Sequence, residues 1–197
     1  MECTPASVTP TLNISTCIQI KTRMNPYDMS RECDGDYSET GCYPMTKHIS
    51  EYLSLPSIRS LLGVDPEVPQ DFSSCNSDII ASFHSSQDEF YPSTTKAHLF
   101  ALLERGIKVL IYAGALDWVC NWVGNERWTL TLEWSGRKEF SGDRLREWYV
   151  GGNVAGKTRS AKGLTFATVV GAGHFAPYDK PKETLALLQR WMVGEAL

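Results

Sequence analysis

Two loops carry the side chains best suited to chemistry. Leu110-Ile111-Tyr112-Ala113-Gly114-Ala115-Leu116-Asp117 is an apolar run that breaks at glycine and then presents a carboxylate. Val169-Val170-Gly171-Ala172-Gly173-His174-Phe175 repeats the plan with an imidazole. Glycine after a β-run leaves the backbone free to turn sharply and hold the next side chain outward. A histidine oriented by an acid is a general base, because its pKa lies near neutrality and the acid fixes its tautomer. Taken singly, Asp117 reads as a turn or helix-cap aspartate and His174 as a solvated loop histidine. Taken together, acid before histidine and each after a strand, they supply two members of a nucleophile–acid–histidine hydrolase arrangement. The apolar neighbours Leu116, Trp118 and Val119 are expected to dehydrate Asp117 in part.

The first member does not appear. No Gly-x-Ser-x-Gly occurs, and no serine sits on an evident strand–turn–helix elbow. Cys120 is a thiol three residues after the acid and shares its loop. It reads as a pocket-lining or gap-filling residue in preference to a nucleophile.

The elements that must position these groups follow from periodicity and breakers. Residues 1–44 are rich in Pro, Gly, Ser and Thr, hold four of the six cysteines, and read as irregular cross-linked chain rather than sheet. Thr46–Leu62 predicts two short amphipathic helices separated near Pro56, and Asn76–Ser82 and Ser93–Arg105 predict helices. Lys108–Ala113 is near-continuously apolar, the mark of a strand buried on both faces in a parallel sheet. Asn121 caps a helix over Asn121–Leu132, and Arg144–Tyr149 reads as a short helix or turn. Lys157–Ser160 and Leu164–Val170 form a hairpin about Ala161-Lys162-Gly163, and Lys182–Met192 is a closing helix after Pro181. Strand, helix, strand, strand, helix over residues 107–197 predicts an α/β fold, the closing part of a doubly wound sheet. The division is then a helical, disulfide-bearing, cap-like segment over 1–106 and core strands and helices over 107–197.

Composition bounds the rest. The 197 residues suffice for one sizeable core, and 42% hydrophobic with 21% charged residues is ordinary for a globular protein. A net charge of −4 without a long basic run argues against nucleic acid as a partner. No run approaches the ~20 apolar residues of a membrane span, and no signal peptide is visible at Met1-Glu2-Cys3-Thr4-Pro5. Cys3, Cys17, Cys33, Cys42, Cys75 and Cys120 are too dispersed for a zinc site, and no cofactor is implied. Cys33 and Cys42 flank a polar, glycine-bearing stretch suited to a disulfide-closed loop. With Asn13-Ile14-Ser15, an N-glycosylation sequon at Asn13, the cysteines lean towards an oxidising compartment.

Longer motifs then become specific. Ala113-Gly114-Ala115-Leu116-Asp117-Trp118-Val119-Cys120-Asn121-Trp122-Val123-Gly124-Asn125 resembles the acid-bearing segment of the serine carboxypeptidases, and Gly171–Pro181 is similar to their histidine segment, G-x-G-H-x-x-P-x-D-x-P. Asn25-Pro26-Tyr27-Asp28, Cys33 with Cys42-Tyr43-Pro44, and Ser74-Cys75-Asn76 match as well, so the resemblance covers residues 25–197. It implies the C-terminal part of an α/β-hydrolase fold, with an incomplete sheet and an irregular disulfide-bearing N-terminal segment. It also implies a secretory location, vacuolar, lysosome-like or secreted.

By the same resemblance Asp117 and His174 are the triad acid and base, and Cys33–Cys42 is a small disulfide loop. Cys75 pairs with a cysteine this chain does not contain, and Cys120 stays free at the pocket. Val119 and Cys120 lie on the S1 side, and Tyr27, Tyr43 and Phe175 lie near S1′. Their apolar character implies a hydrophobic S1′ preference, with peptide C-termini as substrates. Read without the resemblance, Tyr27 and Tyr43 are packing around the disulfide loop. The pairing of Cys3 is left open, with Cys17 a candidate. The family's nucleophile elbow, oxyanion hole and most of its central sheet have no counterpart here. Three readings follow: a portion of a serine carboxypeptidase, inactive alone; one chain of a two-chain enzyme whose partner carries the serine; or a non-catalytic binding module. Without the central strands, Lys108–Ala113 is expected to form an exposed apolar edge.

Overall fold

The structure is a computed structural model, and it describes residues 23–35, 40–74, 76, 78, 79, 81, 82 and 92–197. Asn13, Cys3, Cys17 and Cys75 lie outside these residues. The chain divides into two compact units, residues 1–25 with 32–91, and residues 26–31 with 92–197.

In the first unit the Cys33–Cys42 disulfide closes a loop, as expected, with the two Cα atoms 4.6 Å apart. Helix α1 (Met45–Ser54) and helix α2 (Pro56–Leu61) follow, separated at Leu55, whose extended backbone (ψ 128°) is what the residue before a proline favours. Pro56 then opens α2 at a position where no amide donor is required. The reading of residues 1–44 as wholly irregular is corrected by a short hairpin, β1 (Met24–Asn25) and β2 (Asp28–Glu32), through which the boundary between the units runs. Of the expected helix Asn76–Ser82, the described positions Asp78, Ile79, Ala81 and Ser82 are helical.

The second unit is a four-stranded mixed sheet in the order β3-β6-β5-β4. Its strands are β3 (Val109–Gly114), β4 (Arg146–Val150), β5 (Asn153–Ala161) and β6 (Leu164–Val169). Its helices are α3 (Pro92–Glu104), α4 (Trp122–Leu130), α5 (Arg137–Gly142), α6 (Ala176–Asp179) and α7 (Pro181–Val193). Alternation along β6 explains why the sheet is covered on both faces. Leu164 and Phe166 join Leu103, Val109, Leu132, Trp134 and Phe140 in one core. Ala167 and Val169 join Trp148, Ala155, Ala172, Ala176 and Leu187 in the other. Every residue of β6 is buried, as a strand between two layers requires.

One element differs from the sequence expectation. Arg144–Tyr149 is no helix or turn, because Arg146–Val150 is a strand antiparallel to β5. The cause is local: Trp148-Tyr149-Val150 favours a pleated surface, and Gly151-Gly152, with φ of 57° and 83°, makes the two-residue turn that joins β4 to β5. Trp148 is fully buried, and its Nε1 donates to the Thr168 carbonyl at 3.0 Å. The other hairpin stands as expected, turning at Lys162 and Gly163 (φ 48° and 90°). Helices α5 and α6 are additional to the expected set. Among the described residues β3 pairs with β6 on one side only, and its Tyr112 is 37% exposed.

Strands β3 and β6 are parallel and in register from Val109↔Leu164 to Gly114↔Val169. They therefore end together, and their following loops leave the sheet side by side. The loops then approach so closely that a Cβ on Gly114 would sit 2.0 Å from the Gly173 carbonyl oxygen. Replacing Gly114 with alanine is expected to destabilise the unit by about 2–3 kcal/mol in urea unfolding, as overpacking against backbone does. Gly142→Ala, where nothing lies within 4 Å, is expected to be neutral or stabilising.

Candidate active site

The acid loop and the histidine loop are stitched by backbone hydrogen bonds. Ala115 N–H donates to the Val169 carbonyl and Leu116 N–H to the Ala172 carbonyl, both at 2.9 Å. A third segment, Pro26–Met29, braces both loops. The Pro26 carbonyl accepts from Trp118 N–H (3.2 Å) and Val119 N–H (3.3 Å), and Met29 N–H donates to the Leu116 carbonyl (3.0 Å). The Tyr27 carbonyl accepts from His174 N–H at 2.7 Å. Gly173 is required at this point, since a Cβ there would lie 2.2 Å from the Tyr27 oxygen.

That framework brings Asp117 and His174 together, Asp117 Oδ2 lying 2.9 Å from His174 Nδ1. Asp117 is deeply buried, its side chain 3% exposed, while the His174 side chain is 34% exposed. The other carboxylate oxygen, Oδ1, accepts Cys120 N–H at 3.0 Å. The turn-capping role and the histidine-orienting role are thus one residue's two oxygens. Bonding of Nδ1 to the acid leaves Nε2 to face a reacting group. The acid raises the His174 pKa above its ordinary 6.5 through the hydrogen bond and its charge, against the opposing effect of burial.

Around the pair lies a cleft of about 220 Å³ lined by Tyr112, Gly114, Asp117, Cys120, Asn125 and His174, among others. The thiol of Cys120 is a free one at the mouth, and its pKa is raised, first by burial and then by the Asp117 charge. Such a thiol stays protonated at neutral pH, which suits a lining group and disfavours a nucleophile. Asp117, Cys120 and His174 bring ligand atoms within 4.8 Å of one another, but with Asp117 already bonding both His174 and the Cys120 amide, the trio is engaged as a hydrogen-bonded unit.

Of the other expected site residues, Tyr27 and Phe175 flank the imidazole. Their ring centroids lie 5.2 and 5.3 Å from it, Phe175 edge-on. Phe175 is 43% exposed and Val119 39%. Tyr43 belongs to the first unit, where it is buried and its carbonyl accepts the Thr46 hydroxyl at 2.7 Å. Helix α4 is capped as expected, the Asn121 side chain accepting Gly124 N–H at 2.8 Å. Sequence reasoning missed Tyr112, Asn125 and the braces from Pro26 and Met29; a polar residue such as Asn125, just inside a capped helix beside the acid, was the available signal.

A buried acid and a histidine, carried in that order by adjacent parallel strand ends of a sheet covered on both faces, define the closing part of an α/β-hydrolase. The chain belongs to the serine carboxypeptidase family, S10, whose model matches residues 3–194. It is 39% identical to carboxypeptidase Y of Candida albicans over 175 residues, which is 89% of this chain and 31% of that protein. It is 37% identical over 174 residues to carboxypeptidase Y of Schizosaccharomyces pombe, covering 88% of this chain and 17% of that one. The chain thus spans a third or less of the length of these curated relatives. The crystal structure of Kex1(delta)p, a prohormone-processing carboxypeptidase from Saccharomyces cerevisiae, shares the fold with a TM-score of 0.71 at 22% identity, over 87% of this chain and 36% of that one.

Two outcomes follow from the electrostatics. A histidine whose pKa is raised on folding adds stability below its unfolded value, and that stability is lost as pH rises through the folded value. The stability lost in His174→Gln should accordingly be larger at pH 5.5 than at pH 8.5 in paired urea unfolding curves. Alkylation of Cys120 by iodoacetamide at pH 8 should be slower than that of glutathione, and Asp117→Asn should accelerate it.

Proposed function

We propose that the chain supplies the acid–base arm of a serine carboxypeptidase site, with the nucleophilic serine carried by polypeptide outside residues 1–197. The supporting observation is the 2.9 Å contact between buried Asp117 and His174 Nδ1, on adjacent strand ends. In the reaction His174 Nε2 takes the serine proton as the hydroxyl attacks the peptide carbonyl, and Asp117 steadies the imidazolium. Backbone amides of the serine-bearing polypeptide hold the oxyanion. His174 then returns the proton to the leaving amine, water hydrolyses the acyl-enzyme, and the peptide is shortened by its C-terminal residue.

Val119 and Cys120 border the penultimate residue of the substrate, and Tyr27 and Phe175 border the leaving one, favouring an apolar C-terminal side chain. The one-sided pairing of β3 among the described residues supports continuation of the sheet onto the serine-bearing polypeptide. By itself the chain lacks the nucleophile and is inactive. The Cys33–Cys42 disulfide supports work in an oxidising, secretory compartment.

The test is complementation with the serine-bearing N-terminal portion of a family member, read as release of C-terminal amino acids from peptides. Activity should appear on mixing, fall roughly 10⁴-fold with Asp117→Asn and roughly 10⁶-fold with His174→Ala. Activity that survives both substitutions sinks the assignment.

A further inference from the structure

Behind the histidine loop lies a chain of ionic contacts that the acid–base chemistry does not use. Asp179, at the end of α6, accepts Gly173 N–H on Oδ2 at 2.8 Å, one residue before His174. Its other oxygen, Oδ1, accepts Arg31 Nη2–H at 2.9 Å. Arg31 turns its Nε towards Asp28 Oδ2 at 2.8 Å, and Asp28 Oδ1 accepts the Ser30 amide and hydroxyl at 3.0 and 2.6 Å. Both carboxylates are buried, with side chains 7% and 8% exposed, whereas Arg31 is 44% exposed. Two buried acids on separate segments therefore share one guanidinium, and the fork shape of arginine is what reaches both.

This geometry assigns Arg31 and Asp179 a positioning role. We propose that Arg31, held between Asp28 and Asp179, fixes the His174 loop through the Asp179–Gly173 bond and so sets the distance between His174 and Asp117. The inference rests on the acid–base reading of that pair. The chemistry of the acceptor supports it: both Asp179 oxygens face donors, so an asparagine there would turn its NH₂ against either the Gly173 amide or Arg31. Asp28 belongs to the same segment whose carbonyls brace both loops, so the network joins the brace to the histidine loop from the far side. Neither surface exposure nor a salt bridge count recommends these residues; the placement one peptide from the base does.

Positioning and plain charge make opposite demands on the imidazole. The titratable groups facing it are Asp117, Cys120 and Tyr112 at the cleft and Tyr27 across the ring, and the hydrogen bond with Asp117 dominates. Removing the positive charge of Arg31, if it acted only through space, would raise the His174 pKa. If Arg31 instead holds the loop, its loss lets His174 drift from Asp117 and lowers the pKa towards 6.5.

The experiment is a ¹H–¹³C NMR titration of the histidine rings of the whole chain, with His174→Ala assigning the signal among the four histidines. Arg31→Lys keeps the charge and loses the fork, and Arg31→Gln loses both. The expected result is a lower His174 midpoint in both variants, with loss of its Nδ1–H resonance to exchange, and no effect of either Arg31 substitution when made in an Asp117→Asn background. An unchanged midpoint in Arg31→Lys or a raised one in Arg31→Gln overturns the proposal. Collapse of the far-ultraviolet circular dichroism in both variants overturns it too, because the network then holds the fold rather than the loop. The titration needs neither substrate nor serine, so failure of the peptidase reading is seen separately in the complementation assay.

Discussion

The site depends on how closely two backbones meet. At Gly114 and Gly173 the strand-end loops leave no room for a Cβ, the nearest carbonyl oxygens lying about one bond length and a half away from where it would be. That approach is possible because β3 and β6 run parallel and in register, so their ends coincide. Once the two loops touch, the amides of Ala115 and Leu116 find carbonyls across the gap instead of water. The acid and the histidine then need no long reach. Their separation is set by main chain, which is stiffer than any side chain chosen to span the distance.

Burial divides the work between the partners. Asp117, sealed from solvent, spends one oxygen on the Cys120 amide and the other on the imidazole. A carboxylate so placed cannot rotate away, and its charge favours the protonated form of its neighbour. His174, partly open, meets the cleft with its second nitrogen. Cys120 is pushed the same way, first by burial and then by the same acid, but for a thiol the protonated form is the neutral, unreactive one. One carboxylate thereby promotes proton transfer at one neighbour and suppresses ionisation at another.

Much of this was legible in the chain. The glycine-punctuated β-runs marked Asp117 and His174, and the long motifs around them carried the family resemblance. The apolar run at Lys108–Ala113 and the Asn121 cap likewise read directly into β3 and α4. What escaped has a physical reason. Arg144–Tyr149 reads as a short helix or turn because the short window hides its partner, while the Gly151-Gly152 turn that pairs β4 with β5 lies just beyond. The Pro26–Met29 brace escaped because it works through carbonyls and amides, which every residue has, so no side-chain type announces it. Arg31 gave no signal for a similar reason: its meaning depends on Asp179, far along the chain, and only folding places the two in contact.

The braces also have a topological consequence. Residues 26–31 belong to the same compact unit as residues 92–197, and the whole first-unit excursion from 32 to 91 leaves and returns between them. The entropy of a chain segment joining two fixed points grows only logarithmically with its length, about 0.6 kcal/mol for each doubling. Insertions or deletions within residues 32–91 are thus cheap to the fold that carries Asp117 and His174. The excursion is a region in which length can drift while the acid–base geometry stands still.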